Sequence, residues 1–386
     1  MTAVSERVAL HPSFGAPAGR PRSVVFFGKN RARTRASSGF VEGFRAHGLR
    51  VRWFRFGRLK RIVGRSRALD VARRMLRRER PDLVFAIHPD LPPELFDAIG
   101  ELRAQRPGMR VAQWCDMPMR EPSEATVRSF VASDAVFLTN PARIPWFVER
   151  GAVRLVPALE GFSPRHHFRA PGAARRGPGL VFIGGPSNRP ERAGFLRELG
   201  EHLPVDVFGK GWEAVAAEHP RGLRFHPPVK PPAFRRLCRD AGIVLGFNEV
   251  NDDPYYFSDR TVLSLACGAF HLTHRIPGLD EVYTDGEHLA CYDGVRDCID
   301  RIEYHQGHPE LRARIAAAGH DLVHARHRLL DRVSFILDTL EHAAFAPMLP
   351  GHAAWGRIAA TAASRAPVTE SAVGPATGQP IGEGVR

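Results

Sequence analysis

The chain has 386 residues, of which 44% are hydrophobic and 25% are charged. This length suits two domains of ordinary size, and this composition excludes a wholly disordered chain. No run of about 18 apolar residues occurs, so no membrane-spanning segment is expected, and Met1 to Arg22 lack the apolar centre of a secretory signal.

Positive charge is concentrated in the first part of the chain, although the net charge of the whole is only +14. Residues 1–110 contain 24 basic and nine acidic side chains, whereas the remainder contains 31 basic and 32 acidic ones. The densest stretch, Arg50 to Arg80, has 13 positive charges and two negative ones. This imbalance favours contact with an anionic partner. A solvated helix face would also account for it, and a GC-rich genome would account for the excess of arginine over lysine.

The cysteines favour a reducing compartment. They form neither a CxxC pair nor an even set for disulfides, and buried free thiols are the common outcome in such a case. We therefore expect a cytoplasmic protein. The five residues are Cys115, Cys238, Cys267, Cys291 and Cys298.

After Ser23 the first half alternates short apolar runs with longer amphipathic stretches, which predicts a parallel sheet with helices on both faces. The predicted strands are Val24–Phe27, Val51–Phe54, Leu83–Ile87, Val111–Trp114, Ala135–Leu138 and Arg154–Val156. The predicted helices are Phe40–His47, Ala68–Arg80, Pro93–Ala104, Ser123–Ala132 and Ile144–Arg150.

A polar stretch rich in proline and glycine, Gly161–Pro178, interrupts this pattern and predicts a linker. The alternation then restarts. The predicted strands are Leu180–Ile183, Val205–Phe208, Leu223–Phe225, Ile243–Phe247, Ala269–Thr273 and Leu289–Tyr292. The predicted helices are Pro190–His202, Pro232–Asp240, Asp259–Cys267, Val295–His305, Leu311–His327 and Leu329–Phe345.

The fold predicted from these elements is α/β, with two tandem, doubly wound parallel-sheet domains whose strand ends face each other across a cleft. We expect a flexible segment over 1–22, a first domain over 23–160, the linker over 161–178 and a second domain over 179–327. A helix over 328–346 would pack back on the first domain. Residues 347–386 have little to bury, which predicts a disordered tail.

The first candidate binding loop is Phe182–Pro190, where a strand runs into Gly184 and Gly185 and then into a helix. Glycines allow a ligand to approach the backbone, and the start of a helix attracts phosphate. Arg189 could bind the same anion with its guanidinium fork. An ordinary, well-capped strand-to-helix turn is the alternative.

The second candidate is the segment Phe208–Trp212 at the end of a strand. Lys210 lies there between two glycines and could place a point charge beside a phosphate. The spacing is not that of a Walker loop, and a plain surface turn is the alternative.

The third candidate is the segment leading into the helix that starts at Asp259. Ser258 is a suitable N-cap and Gly268 a suitable stop. Arg260 lies in the first helical turn, where the helix dipole disfavours a cation unless an anion is bound there. The alternative is a salt bridge from Arg260 to Asp252, Asp253 or Asp259.

Two polar residues follow predicted strands of the first half. His88 follows the third strand and Asp116 the fourth, and either could serve as a base or an orienting group in a cleft. Each could equally be a simple cap. We predict no metal site, because His166, His167, His324 and His327 lack suitable partners and are expected at the surface.

Four enzyme or binding classes lack their signatures. Gly28-Lys29-Asn30 after the first strand is not the GxGxxG of a nicotinamide dehydrogenase. No GxSxG elbow occurs, and neither zinc-finger nor RNA-binding aromatic patterns are present.

The stretch from about Gly179 to Leu337 resembles the glycosyltransferase-like domain of CgeB-type spore maturation proteins, which belong to the GT-B glycosyltransferases. The first half is similar more loosely, through Trp114–Pro118 and Pro157–Leu159. The residues that carry the main resemblance are Val181–Gly185, Phe208–Trp212, Ser258–Thr261, Leu265–Phe270, Pro277–Leu289 and Ile315–Gly319.

The resemblance implies a GT-B enzyme with two Rossmann-like domains that transfers a sugar, of the hexosyl type, from a nucleotide-diphosphate donor. It implies no cofactor and no bridging metal, because helix N-termini and basic side chains take the diphosphate charge. The donor-binding residues would be Gly184, Gly185, Arg189, Lys210, Ser258, Asp259 and Arg260, with His88 or Asp116 on the acceptor side. The basic first domain would suit an anionic acceptor or an anionic membrane surface carrying one, and no specific nucleic acid is expected.

One position departs from the family pattern. Related enzymes often have a glutamate before the Ala-Cys-Gly segment, where it holds the donor, but this chain has Leu263 there and Tyr255 eight residues earlier. Glu249, Asp253 or Asp259 could replace it. The alternative hypothesis is a catalytically inactive scaffold that binds a polyanion through its basic first domain.

Overall fold

The computed structural model describes residues 6–14, 19–29, 35–117, 122–172, 177, 179–186 and 190–362. Every predicted strand is present, and four have the predicted bounds. The strands are β1 (Val8–Ala9), β2 (Ser23–Phe27), β3 (Arg50–Phe54), β4 (Leu83–Ile87), β5 (Arg110–Cys115), β6 (Ala135–Leu138), β7 (Leu155–Pro157), β8 (Leu180–Ile183), β9 (Val205–Phe208), β10 (Leu223–His226), β11 (Ile243–Gly246), β12 (His271–His274), β13 (Ala290–Tyr292) and β14 (Ala344–Phe345).

Most helices lie between these strands, and three of them, α2, α8 and α14, are additional to the prediction. The helices are α1 (Ala36–Ala46), α2 (Phe56–Val63), α3 (Arg65–Glu79), α4 (Phe96–Gln105), α5 (Glu124–Val131), α6 (Ile144–Val148), α7 (Pro190–Gly200), α8 (Glu213–Ala217), α9 (Pro231–Asp240), α10 (Asp259–Ala266), α11 (Gly294–Gly307), α12 (Pro309–Arg326), α13 (Leu329–His342) and α14 (Pro350–Ala360).

The strands form two six-stranded parallel sheets, as the sequence predicts. The first sheet has the order β3-β2-β4-β5-β6-β7, and the second has the order β10-β9-β8-β11-β12-β13. Each is doubly wound, because the chain starts near the middle of the sheet and proceeds to one edge before returning to the other. The two halves are therefore Rossmann-like domains in tandem.

Both faces of each sheet are buried, because successive side chains of a strand point to opposite faces. Val24 and Phe26 of β2 lie in a core cluster with α1 and α13, whereas Val25 and Phe27 lie in a cluster with α3 and α4. The second sheet divides its side chains between two clusters in the same way. This double burial explains why the strands are continuous apolar runs rather than alternating ones.

The end of the chain returns to the first domain. Helix α13 packs against α1, and its residues Val333 and Leu337 are fully buried in the first domain's core. Strand β14 then pairs antiparallel with β1, through Val8 with Phe345 and Ala9 with Ala344. Helix α14 contacts α6 and β7. The first domain is thus completed by segments from both ends of the chain.

Three expectations from the sequence need correction. A flexible segment over 1–22 is wrong for residues 8–9, which form β1, and a disordered tail from residue 347 is wrong for residues 350–360, which form α14. Residues 363–386 lie outside the described residues. The surface placement expected for the histidine pairs is also wrong for His167 and His327, which are buried. Period and composition alone do not show that a short segment gains stability by packing on a distant domain.

Candidate functional site

The carboxyl ends of the two parallel sheets meet. Asn140 follows β6 of the first sheet, and its amide donates a hydrogen bond of 2.7 Å to Asp253, which follows β11 of the second sheet. Arg143 forms an ion pair with the same carboxylate. A cleft at this edge is where open α/β sheets bind ligands.

Two candidate loops of the second domain are in direct contact at this edge. The N–H of Gly184 donates to the carbonyl of Phe208 at 2.9 Å, and Trp212 Nε1 donates to the carbonyl of Gly184 at 2.8 Å. A Cβ on Gly209 would overlap that same carbonyl, and a Cβ on Gly185 would lie 3.2 Å from the carbonyl oxygen of Lys210. Gly209 is therefore required for the two loops to pack this closely, and Lys210 is held beside Gly185 with its side chain exposed.

Arg260 joins the third loop to the first. Its side chain is only 4% exposed, and it lies over the Phe182 ring at 4.6 Å. Nε donates to the carbonyl of Ile183 at 2.5 Å, and Nη1 donates to the carbonyl of Phe247 at 3.1 Å. A Cβ on Gly184 would overlap this guanidinium. The cation in the first turn of α10 is therefore placed beneath the glycine loop, with its positive charge held at the carboxyl ends of β8 and β11.

The start of α10 is fixed by the loop before it. Ser258 is the N-cap residue, as predicted, but its hydroxyl makes no capping bond and instead accepts from Arg260 Nη1 at 3.4 Å. The N–H of Ser258 donates to Asn248 Oδ1 at 2.9 Å. Gly268 adopts a φ of +76° just past the helix, which a residue with a side chain adopts at a cost. Ser258 and Asp259 are half-buried at the start of the helix.

Arg192, in the first turn of α7, belongs to the same cluster but was missed by sequence reasoning. Its guanidinium is buried, and Nη1 donates to the carbonyl of Gly185 at 2.9 Å. The signal that could have revealed it is the helix position, because Arg192 lies in a first turn just as Arg260 does. Arg189, the predicted ligand of this loop, lies outside the described residues.

The carboxylates considered as replacements for the family's glutamate take different positions. Leu263 is fully buried in the hydrophobic core, so that position offers no polar group. Asp253 is engaged with the first domain. Glu249 and Asp259 both lie near buried Tyr256, whose pKa is raised by burial and by the charges of Glu160, Glu249 and Asp259. These three carboxylates therefore lie near the loop between β11 and α10, and Glu160 among them was not anticipated.

Tyr255 stands where the family pattern has its other carboxylate, and it is turned toward a neighbouring loop. Its backbone has a φ of 62°, and its hydroxyl donates to Glu281 at 2.6 Å. This hydrogen bond, with burial, raises the pKa of Tyr255 to about 12. The side chain therefore secures the loop before α10.

The two candidates of the first domain differ in accessibility. His88 is 5% exposed, with Nδ1 3.2 Å from Gln113 Oε1 and Nε2 3.5 Å from Thr126 Oγ1. Burial lowers its pKa to about 4, so the ring is neutral at pH 7. Asp116 is half-buried directly after β5. Cys115, the last residue of β5, pairs with Leu138 of β6, and Asn140 follows β6. Asp116 therefore lies at the edge of the sheet where the domains meet.

Within the described residues, no group of three or more histidine, cysteine, aspartate and glutamate side chains could hold a metal ion. In the same part of the chain, no helix is long and apolar enough to cross a membrane. All five cysteines are buried, free thiols.

Comparison with known proteins supports the fold. Residues 189–338 match the family model described as glycosyl transferase-like. The structure of HepE from Anabaena in complex with UDP and glucose superposes with a TM-score of 0.58 at 12% identity, covering 83% of this chain and 99% of that one. The fold is GT-B.

Other solved structures agree with this fold. Sucrose-phosphate synthase from Thermosynechococcus elongatus gives a TM-score of 0.60 at 11% identity, covering 83% of this chain and 99% of that one. A glycosyltransferase from Rickettsia africae gives 0.58 at 8% identity, covering 83% and 98%. No curated protein sequence matches the chain. In this GT-B fold, the converging loops around Gly184 belong to the second domain.

Proposed function

We propose that the protein is a glycosyltransferase that takes a sugar from a nucleotide-diphosphate donor. The observation that carries this proposal is the convergence around Gly184. Two glycine loops, the exposed amine of Lys210 and the first turn of α10 come together at the edge where the two sheets meet. HepE, which has the same fold, is described in complex with UDP-glucose.

The chemistry follows from the charges at this edge. Breaking the bond between the sugar and the diphosphate leaves negative charge on the diphosphate, and positive groups fixed beforehand at that position lower the barrier. Lys210 and Arg189 would contact the phosphates directly, together with the N-terminal end of α10 that carries Ser258 and Asp259. Arg260 and Arg192 would act by positioning the loops and by their charge. We propose that this arrangement makes a bridging metal unnecessary.

On the acceptor side we propose Asp116 as the group that receives the acceptor's proton. Its half-buried position at the end of β5 suits contact with a ligand. The burial of His88 and its contacts with Gln113 and Thr126 suit a positioning role beneath that strand end. Glu249 or Asp259 would take the place of the family's glutamate near the donor. The sugar would be of the hexosyl type.

The proposed acceptor is anionic or is presented at an anionic membrane. Helix α2 follows the carboxyl end of β3, and it exposes Arg58, Lys60 and Arg61. Ile62 beside them is 70% exposed. Basic residues next to an exposed apolar side chain suit the surface of an anionic bilayer. We propose a cytoplasmic protein that contacts the membrane peripherally in this way.

Calorimetric titration with UDP-glucose and GDP-mannose tests the donor proposal. We expect one of the two to bind the unmodified protein, and Lys210→Ala to weaken this binding at least tenfold. Arg314→Ala removes an exposed cation from α12 of the same domain and should leave the affinity unchanged. EDTA should not change it either.

Two outcomes would separate the hypotheses. Failure of every nucleotide sugar to bind would overturn the proposal. Binding without any release of nucleoside diphosphate, over a panel of anionic acceptors, would favour the inactive scaffold, to which the loss of a carboxylate at Leu263 also points.

A further inference from the structure

A basic groove lies on the first domain, away from the cleft. We define it by two adjoining cavities of about 670 and 230 Å³, which share Ser23, Arg50 and Glu79 in their walls. Six arginines line the two cavities, against the acidic residues Glu79 and Asp82. The arginines are Arg20, Arg22, Arg50, Arg52, Arg80 and Arg106.

The groove is separate from the candidate donor site. Arg22 precedes β2, Arg50 begins β3 and Arg80 follows α3, so all three lie at the amino-terminal edge of the first sheet. The cleft is at the carboxyl edge. A five-residue strand such as β2 spans about 17 Å at about 3.3 Å per residue. The groove is therefore on the opposite side of the domain from the cleft.

Some charges in the groove are neutralised by neighbours. Asp82 accepts from the backbone N–H groups of Arg22 and Ser23 at 3.0 Å each and from Arg106 at 2.6 Å. Arg52 lies 3.9 Å from Glu79, and Arg20 lies 3.9 Å from Glu341. Both acidic residues of the groove are thus already engaged.

Three cations remain. Within the part of the chain that the structure describes, the side chains of Arg22, Arg50 and Arg80 form no hydrogen bond and no ion pair, and all three are exposed. Like charges gathered in one concavity repel each other, and a bound anion would relieve that repulsion. Cations near helix C-termini are favoured by the helix dipole, which accounts for Arg80 after α3. It does not account for Arg22 and Arg50, which stand at the beginnings of strands.

We propose that this groove binds a phosphate-bearing polymer without nucleobases, such as a glycan chain linked by phosphodiesters. Guanidinium groups bind phosphate through two parallel hydrogen bonds, and a row of them suits repeated phosphates. Among the described residues, those that line the two cavities include no aromatic side chain. Single-stranded nucleic acids are normally held by stacking on aromatic rings, so the groove favours a polymer that has no bases.

Binding of fluorescently labelled long-chain inorganic polyphosphate to the full chain, measured by anisotropy at several salt concentrations, tests this site. The groove variant combines Arg22→Gln, Arg50→Gln and Arg80→Gln. We expect it to bind at least tenfold more weakly, with the slope of log affinity against log salt reduced by about 2 to 3, because three phosphate contacts are lost. No nucleotide sugar is present, so the result is independent of the proposed transferase activity.

A matched control removes the same charge elsewhere in the first domain. It combines Arg45→Gln on α1 with Arg67→Gln and Arg74→Gln on α3, all exposed and outside the groove. We expect less than a twofold change in polyphosphate affinity. Equal weakening by both variants would show attraction to the general positive field and would overturn the site, as would an unchanged affinity of a folded groove variant.

A second comparison concerns the class of polymer. Oligoadenylate of the same charge should compete more weakly than polyphosphate for the unmodified protein. If oligoadenylate bound more tightly, and if that binding were lost in the groove variant, the groove would be a nucleic-acid site and the proposed class of ligand would be wrong.

Discussion

Asp253 in the second domain accepts a hydrogen bond of 2.7 Å from the side-chain amide of Asn140 in the first. The same carboxylate is paired with Arg143, and Asp253 is only 5% exposed. Asp253 belongs to the loop between β11 and α10, which also carries Asn248 and Ser258. The loop that forms one wall of the candidate donor site is therefore attached to the opposite domain.

Asp253→Ala should loosen this attachment, because Arg143 and Asn140 would lose their acceptor in a largely buried place. Removing one partner of such a pair costs about 2–3 kcal/mol of unfolding free energy. We expect that loss in urea denaturation, with a larger radius of gyration in small-angle X-ray scattering. Glu218→Ala breaks an exposed pair of 2.6 Å with Arg197 and should cost less than about 1 kcal/mol. Equal costs for both variants would contradict the interdomain role.

Gly184→Ala should abolish the arrangement of the candidate donor site. The added Cβ would overlap the Arg260 guanidinium and lie 3.3 Å from the Phe182 ring, so the loop or the arginine must move. We expect nucleotide-sugar affinity to fall at least tenfold in titration calorimetry.

Gly194→Ala is the control for that substitution. Gly194 lies within α7 of the same domain, and a Cβ added there would meet no atom of the described residues within 4 Å. Alanine at this position should stabilise the helix by about 0.5–1 kcal/mol without changing nucleotide affinity. Unchanged affinity in Gly184→Ala as well would contradict the assignment of the glycine loop to the donor site.

His88 should make the stability of the protein dependent on pH. Burial lowers its pKa to about 4, below the value of about 6.5 in an unfolded chain. The unfolded state therefore binds the proton first as the pH falls. The contribution of His88 to the unfolding free energy is complete above pH 6.5 and is lost as the pH falls from 6.5 to 4. Linkage gives a loss of about 2 kcal/mol at pH 5 for this one group.

The check compares the unfolding free energy at pH 7 and pH 5 for the unmodified protein and for His88→Gln. The difference between the two pH values should be smaller in the variant, because glutamine does not titrate. Other buried histidines, such as His271 with a pKa of about 3, contribute to both proteins and cancel. An identical pH difference in the two would show that His88 is not buried in a neutral state.

Leu337→Ala tests the return of α13 to the first domain. Leu337 is fully buried between α13 and the first sheet, and such truncations cost about 2–5 kcal/mol. Ile62→Ala removes an equally apolar side chain that is 70% exposed, so it should change the unfolding free energy by less than about 0.5 kcal/mol. Denaturant unfolding of both variants measures the difference, and a small cost at Leu337 would mean that α13 contributes little to the first domain's core.

The sequence by itself determined the two sheets and the local features of the binding loops. Strands buried on both faces are short, apolar and separated by helices, and this local pattern needs no knowledge of the partners. Ser258 and Gly268 likewise predicted the start of α10 and, to within one residue, its end, because the ends of a helix depend on a few neighbouring residues.

Only the tertiary structure decided which distant groups meet. Arg260 lies beneath Gly184 because β8 and β11 are neighbours in the sheet, which brings the start of α10 against a loop that is distant in sequence. Helix α14 and strand β1 form because each packs against the first domain. Helix α14 is distant from that domain in the sequence, and β1 pairs with β14, which is equally distant. Such contacts depend on side chains far apart in the chain, and a pattern of neighbouring residues does not predict them.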